Sequence, residues 1–335
     1  MPVAKSHLRW INYIILGVFT ILTIFPFYVM LMGSFKTQQE IVERPYGFPG
    51  EVELSENIRW FYVRDETPVD IEEFAEQFGL KLPINPNMKI SELATDETHL
   101  QGMMEYIEAR IRTSNYIMAV RRGNLIRNLI ATMIIMAGSV TVLSLFGGMA
   151  GYPLAKSRYQ VLNILLIFFL IGMTLPRMLA LVPLYKMMIA LGLLNNPISL
   201  ILIYGASRMS ITIIIFSTFY KAIPNDLENA AEIDGLNRIG CFFRILLPMS
   251  KIPILTVFII SGTFVYNDYL TPLLFMGNSK FTHIQVGLSQ FVGAQTWFFG
   301  PIFAGVTITI LPMLLIYLLI NKTFISGVTA GAVKG

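Results

Sequence analysis

Pro224-Asn-Asp-Leu-Glu-Asn-Ala-Ala-Glu-Ile-Asp-Gly235-Leu-Asn-Arg-Ile-Gly-Cys-Phe-Phe-Arg-Ile-Leu-Leu-Pro248 is a polar island between two long apolar segments. Four acids, Asp226, Glu228, Glu232 and Asp234, fall within it. A loop that only reversed the chain could be far shorter. Asn225, following Pro224, is expected to cap a helix, with Glu228 three residues on completing a capping box. Asp226 and Glu228 also suit the positive end of the helix dipole. Leu227, Ala230, Ala231 and Asp234 then share one face. Gly235 can end the helix in a left-handed conformation. Ile239, Phe242, Phe243 and Leu246 make an apolar stripe on a second short helix that ends near Pro248. The island therefore reads as a helix–glycine–helix elbow with an alanine face open to close approach. The plainer reading is a hairpin packed on its own membrane domain.

The flanks decide the fold class. Of the 335 residues 54% are hydrophobic and 14% charged, with a mean hydropathy of +0.62. Soluble domains carry about 25% charged residues, and a spanning helix needs about 20 apolar ones. Charge-free windows run from Trp10 to Phe35, Asn128 to Ala155, Tyr159 to Pro176 and Phe281 to Asn321. Two more windows each contain one charge: Met187 to Tyr220 has Arg208, and Ile252 to Ser279 has Asp268. Six helices are expected near 11–33, 126–151, 160–178, 198–220, 252–275 and 301–321. The first ends at Met-Gly-Ser-Phe-Lys without a small-x-small cleavage pattern, so it is expected to be retained.

Charge sets an expected orientation. Residues Ser34 to Asn124 hold 16 acids and 10 bases, against 5 acids and 15 bases elsewhere. Lys5 and Arg9, Lys156 and Arg158, then Lys221, Arg238, Arg244 and Lys251, and finally Lys322 and Lys334 occupy alternate loops, which the positive-inside rule places in the cytoplasm with both termini. The segment 37–124 is then extracytoplasmic. Ile71 to Leu82 and His99 to Ile117 have helical apolar spacing, with Met103, Ile107 and Ile111 on one face, so this insertion is expected to be mainly helical. It is either a solvated cap or a contact for an external partner.

Charges at bilayer depth are costly and face protein or water. Arg208 and Asp268 could pair structurally or line a polar path. Tyr204, Tyr266, Asn267 and Tyr269 add groups able to stack on and hydrogen-bond a sugar, although tyrosines also collect at lipid interfaces. Pro176, Pro183, Pro253 and Pro312 are candidate kinks. The single cysteine, Cys241, excludes an intrachain disulfide, and His7, His99 and His283 make no metal spacing. No phosphate-binding loop, Gly-x-Ser-x-Gly or His-Glu-x-x-His is present, so ATP hydrolysis by this chain is not expected.

The elbow resembles the signature loop of ATP-binding-cassette (ABC) importer permeases: Glu-Ala-Ala, three residues, Gly, nine residues, Ile-x-Leu-Pro. Ala230, Ala231, Gly235, Ile245, Leu247 and Pro248 fall in register, and Asn229 stands where the family has Glu. Leu175-Pro176 with Val182-Pro183-Leu184-Tyr185, Leu191-Gly192-Leu193-Leu194-Asn195, Tyr266-Asn267-Asp268-Tyr269, and the tail Gly327-Val328-Thr329-Ala330-Gly331-Ala332-Val333-Lys334-Gly335 resemble the maltose-type carbohydrate subfamily. The resemblance covers roughly 10–36 and 125–335.

It implies an all-α membrane protein with the six transmembrane helices of the type I importer permease fold. The expected order is a cytoplasmic N-terminus at 1–9, helix 1 at 10–36, the insertion at 37–124, a core at 125–321 containing the coupling loop 221–250, and a cytoplasmic tail at 322–335. It also implies a second permease, two ATPase subunits that bind ATP and Mg, an extracytoplasmic solute-binding protein, and a bacterial or archaeal cytoplasmic membrane. No cofactor in this chain and no nucleic acid partner are expected. Leu227, Glu228, Asn229, Ala230, Ala231, Asp234 and Gly235 become the expected ATPase contact, by shape rather than through the usual Glu. Tyr204, Arg208, Tyr266, Asn267, Asp268 and Tyr269 become the candidate path. The implied cargo is a carbohydrate, an oligosaccharide first, with a polyol or glycerol-phosphate as the alternative. An ion-coupled transporter would need midplane carboxylates, for which only Asp268 qualifies, and a membrane enzyme would need a nucleophile or metal cluster.

Overall fold

The computed structural model describes residues 4–50, 56–61, 63, 69–157, 159–174, 176–292 and 299–332. Leu175, Arg158, Val333, Lys334 and Gly335 lie outside them, as does the Ile111 side chain. Among the described residues the regular structure is helical, with one isolated antiparallel bridge between Arg59 and Lys89. Three helices are each long and apolar enough to cross a membrane: Trp10–Gly33, Leu125–Lys156 and Phe299–Ile320. Three pairs reach that length only together: Ile164–Thr174 with Arg177–Ala190, bent by 93°, Pro197–Ser207 with Met209–Lys221, bent by 54°, and Arg238–Met249 with Lys251–Asn267, bent by 72°. Six spans result if each bent pair counts as one.

The bends correct three expected helices. The one placed at 160–178 stops at Thr174. Pro176 is extended (φ −62, ψ 118), has no N–H to donate, and disfavours helix at the residue before it. The helix expected at 198–220 breaks at Arg208 (φ −103, ψ 3), just after Gly205, Ala206 and Ser207. Glycine–serine sequences are common kink sites. The helix expected at 252–275 ends at Asn267, and Leu270–Met276 follows as a separate helix after an extended Asp268 (φ −75, ψ 129). Upstream it bends at Ser250, whose Oγ lies 2.6 Å from the Leu246 carbonyl and 3.0 Å from the Tyr220 hydroxyl. The last helix is longer than expected: Phe299–Ala332 carries helix through most of the segment read as a tail.

The chain divides into two compact units. The first comprises Met1–Leu125 and Leu288–Pro312. Its helices after the first span include Gln38–Glu43, Ile71–Gln77, Ile90–Leu93 and Glu97–Arg122. Asp70 caps the second of these by accepting from the Glu72 and Glu73 amides, and Asp96 caps the last by accepting from His99. Met103 and Ile107 of the expected stripe are fully buried, with Trp60, Phe74, Ile90 and Tyr106, in one apolar cluster. Phe74 sits at its middle, with ring centroids of Trp60 at 5.5 Å, Phe78 at 4.8 Å and Tyr106 at 5.5 Å. A cluster with that much ring contact is a core, and it is compatible with both a solvated cap and a contact for an external partner. Phe74→Ala should cost this insertion about 3–5 kcal/mol. Limited proteolysis of the intact protein should then cut within 70–107 while the spans stay protected; an unchanged cleavage pattern would refute the core assignment.

The second unit comprises Ile126–Gly287 and Met313–Gly335. Its most extensive packing between two helices is that of Gly148–Lys156 on Met209–Lys221. A Cβ on Gly151 would come 2.9 Å from Phe216 Cβ, 3.0 Å from the Ser217 amide nitrogen and 3.2 Å from the Ile213 carbonyl. One on Gly147 would collide with Thr212. Small residues four apart let membrane helices approach backbone to backbone. The Gly147-x-x-x-Gly151 spacing is legible in the sequence. Below this crossing Tyr152, Phe216, Tyr220, Phe242 and Leu246 form a buried cluster that also takes in Ala231.

Candidate functional site

The elbow begins with the helix Asn225–Ile233. Its N-cap is Pro224, without a side-chain cap, so the expected capping box does not form. The two side chains expected to make it are engaged elsewhere. Lys156, at the end of the Leu125–Lys156 span, places its Nζ 2.9 Å from Asn225 Oδ1 and 3.1 Å from Glu228 Oε1, and donates to the Ile223 carbonyl. Tyr152 Oη donates to Glu228 Oε2 at 2.9 Å. The Lys156–Glu228 contact is a charge contact, because Glu228 Oε1 makes no aligned hydrogen bond. A half-buried ammonium needs acceptors, and this need outweighs a local cap.

The helix ends as expected at Gly235, whose φ is +80. The Gly235 amide donates to the Glu232 carbonyl and the Leu236 amide to that of Ala231, the paired bonds of a Schellman motif. Asn237 caps the next turn by accepting from the Gly240 amide at 2.7 Å. Arg238–Cys241 then runs into a π-turn at Phe242–Leu246. The expected apolar stripe divides there: Phe242 and Leu246 are buried, whereas Ile239 and Phe243 are exposed.

The alanine face divides too. Ala231 is buried in the chain's own core and Leu227 packs half-buried against it. Asn229, Ala230, Asp234 and Gly235 remain exposed, and Ile233 is 86% exposed. The outward side of the helix is thus Asp226, Asn229, Ala230 and Ile233. Ile233 is an addition to the expected set; the signal for it was an isoleucine on the polar side of an amphipathic helix. Beside the elbow lies a cleft of about 250 Å³, reached by Lys156, Arg238, Ile239 and Phe243.

A second feature of the same unit is a cavity of about 540 Å³ lined by Arg177, Leu181, Ile203, Arg208, Phe264 and Thr271, among others. Asp268 is bonded to two of its lining residues. Its Oδ2 accepts from Thr271 Oγ1 at 2.6 Å and Tyr204 Oη at 3.1 Å, and lies 3.3 Å from Arg177 Nη1. Of the two relations weighed for Arg208 and Asp268, the pairing is not made: Arg177 takes the carboxylate. Sequence reading missed Arg177 because it lay at the end of an apparently continuous helix. The guanidinium carbons of Arg177 and Arg208 each stand 4.5 Å from the Phe264 ring centroid.

The other candidate path residues are not gathered here. Tyr266 is buried and its carbonyl accepts from Gln285. Asn267 and Tyr269 are exposed, and Asn267 bonds the Thr263 carbonyl of its own helix.

Known proteins resemble this chain along most of its length. Residues 115–327 match the family described as binding-protein-dependent transport system inner membrane component. The melibiose/raffinose/stachyose import permease of Bacillus subtilis is 33% identical over 68% of this chain and 83% of its own length. The arabinooligosaccharides transport system permease of the same species is 29% identical over 66% of this chain and 78% of its own. A chain of a bacterial ABC transporter involved in the import of the acidic polysaccharide alginate superimposes with a TM-score of 0.68, covering 96% of this chain and 98% of that one. At 14% identity that likeness speaks to the fold alone. Members of this family are transport permeases rather than enzymes, and they sit in the inner membrane. The match over 115–327, together with the apolar spans and the elbow, makes this chain a member of the binding-protein-dependent transport system inner membrane component family.

Proposed function

We propose that this chain is one of two permease subunits of an ATP-driven carbohydrate importer, with an oligosaccharide as cargo. It supplies half of the translocation path across six spans. Its elbow docks on one of two cytosolic ATPase subunits, which bind ATP and Mg. The insertion 37–124 lies outside, where a solute-binding protein delivers the sugar, and both termini are cytoplasmic. The names of the related oligosaccharide permeases support the cargo class.

The observation that carries the coupling role is the fastening of the elbow. Its helix is tied to the end of a spanning helix by Lys156 and Tyr152 and packs Ala231 into the same core, while its opposite side stays open. A helix held that way transmits a push at its open side to the span as one body. When the ATPases close on ATP, the elbow moves with them and tilts the Leu125–Lys156 span, turning the path from inward- to outward-facing.

Ile233→Arg tests this. The side chain is exposed, so the substitution should leave thermal stability within about 0.5 kcal/mol. Co-purification with the ATPase should fall about tenfold or more, as expected for a charge placed in the centre of an interface. Undiminished recovery of the ATPase with Ile233→Arg would remove the elbow's outward side from the interface.

A further inference from the structure

We propose that the cavity between Arg177, Arg208 and Phe264 binds a sugar through an oxyanion substituent, and that Arg208 is the residue that binds it. The proposal rests on the carbohydrate-importer reading and narrows its cargo to an acidic sugar. Two guanidinium groups border the cavity, and the carboxylate of Asp268 bonds two of its lining residues, Arg177 and Thr271. That carboxylate is already engaged: Asp268 Oδ2 takes two hydroxyl donors and Arg177. Among the described residues no carboxylate pairs with Arg208, and its Nε is buried without a hydrogen-bond acceptor. Its guanidinium lies over the Phe264 ring, which it shares with Arg177. The two cations are therefore at most twice 4.5 Å apart, with a net positive charge between them.

A cation at this depth is stable only when paired or hydrated. A neutral sugar would leave the Arg208 charge unanswered and displace whatever water serves it. A carboxylate, sulfonate or phosphate on the sugar supplies the missing charge, and the guanidinium fork matches two oxygens of such a group at once. The size agrees, since 540 Å³ lies within the range of small-ligand sites. Apolar neighbours such as Leu181 and Ile203 lower the local dielectric, which strengthens the contact. Arg177, held by Asp268, stays in reach as a second positive charge but is not free to pair first.

Equilibrium binding to the assembled transporter, purified with its ATPases in lipid nanodiscs and without the solute-binding protein, decides it. The probes are a galacturonate disaccharide and the galactose disaccharide of the same linkage. The acidic sugar should bind about tenfold more tightly or better. Arg208→Gln should bring the two within about twofold, and Arg208→Lys, which keeps the charge but not the fork, should retain part of the preference. Equal affinities in the unaltered protein would overturn the proposal, as would a preference that survives Arg208→Gln; in either case sugar binding itself leaves the importer reading standing. Binding of neither sugar would overturn this proposal and the assignment of the cavity to the path together. A partner-permease carboxylate on Arg208 would show itself as the first of these outcomes.

Discussion

Lys156→Met should loosen the elbow helix from the membrane core and uncouple ATP hydrolysis from transport. Lys156 answers three acceptors at once: the Ile223 carbonyl, Asn225 Oδ1 and the Glu228 carboxylate. Methionine has similar length and keeps the stem packing, so the change isolates the charge. Glu228 would then hold only the Tyr152 hydroxyl. The side chains are 11% and 22% exposed, between a surface pair, worth about 0–1 kcal/mol, and a buried one, whose breaking costs about 3–5 kcal/mol. A loss of about 2 kcal/mol follows, which raises the undocked population of the helix roughly 30-fold.

Amide hydrogen exchange should report it locally. Residues 225–233 should exchange roughly 30-fold faster in Lys156→Met, with the insertion unaffected, and sugar-stimulated ATPase activity should fall while basal activity persists. The double variant Lys156→Met with Glu228→Leu should recover part of the loss, because removing both charges relieves the unpaired carboxylate. Unaltered exchange at 225–233 in the single variant would show that the contact does not hold the elbow.

Gly151→Val should be the most damaging single change to the second unit. The added atoms would meet the Ser217 nitrogen and the Ile213 carbonyl, which are backbone and cannot turn aside. The helices must separate, and the Tyr152, Phe216 and Tyr220 packing opens with them. Overpacking of this kind costs about 1–3 kcal/mol, occasionally more, and the backbone contact places this site at about 3 kcal/mol. Gly148→Ala should be milder, since its nearest neighbour, the Phe216 ring at 3.3 Å, can shift. Gly172→Ala should be harmless or slightly stabilising. It meets Ser210 Oγ at an ordinary 3.7 Å, and alanine favours helix over glycine by about 0.5–1 kcal/mol. Thermal unfolding of the detergent-solubilised protein should rank the three in that order. Gly151→Val melting alongside Gly172→Ala would refute the close crossing.

Much of the elbow was legible residue by residue. Gly235 adopts the left-handed conformation that its place after an amphipathic helix required, and Asn237 and the following apolar run form the second helix. The capping box was not, because Asn225 and Glu228 had a competitor 69 or more residues away in Lys156. The spans show the same division. Their apolar windows marked the helical segments, but not the breaks at Arg208, Ser250 and Asp268; at two of these the side chain bonds a tyrosine distant in sequence, Ser250 with Tyr220 and Asp268 with Tyr204.

Apolar content along the chain was enough to mark the long apolar helices and the polar elbow between two apolar segments. Hydrophobicity and helix propensity act locally and add along the sequence, so windows register them. Only the tertiary structure decided which charge answers which: Lys156 to Glu228, and Arg177 rather than Arg208 to Asp268. Pairing at low dielectric depends on a few ångströms between residues far apart in the chain, a distance that the order of residues does not contain. It also decided which of the elbow's small residues stay open, since Ala231 went to the chain's own core while Ala230 and Ile233 remained outside.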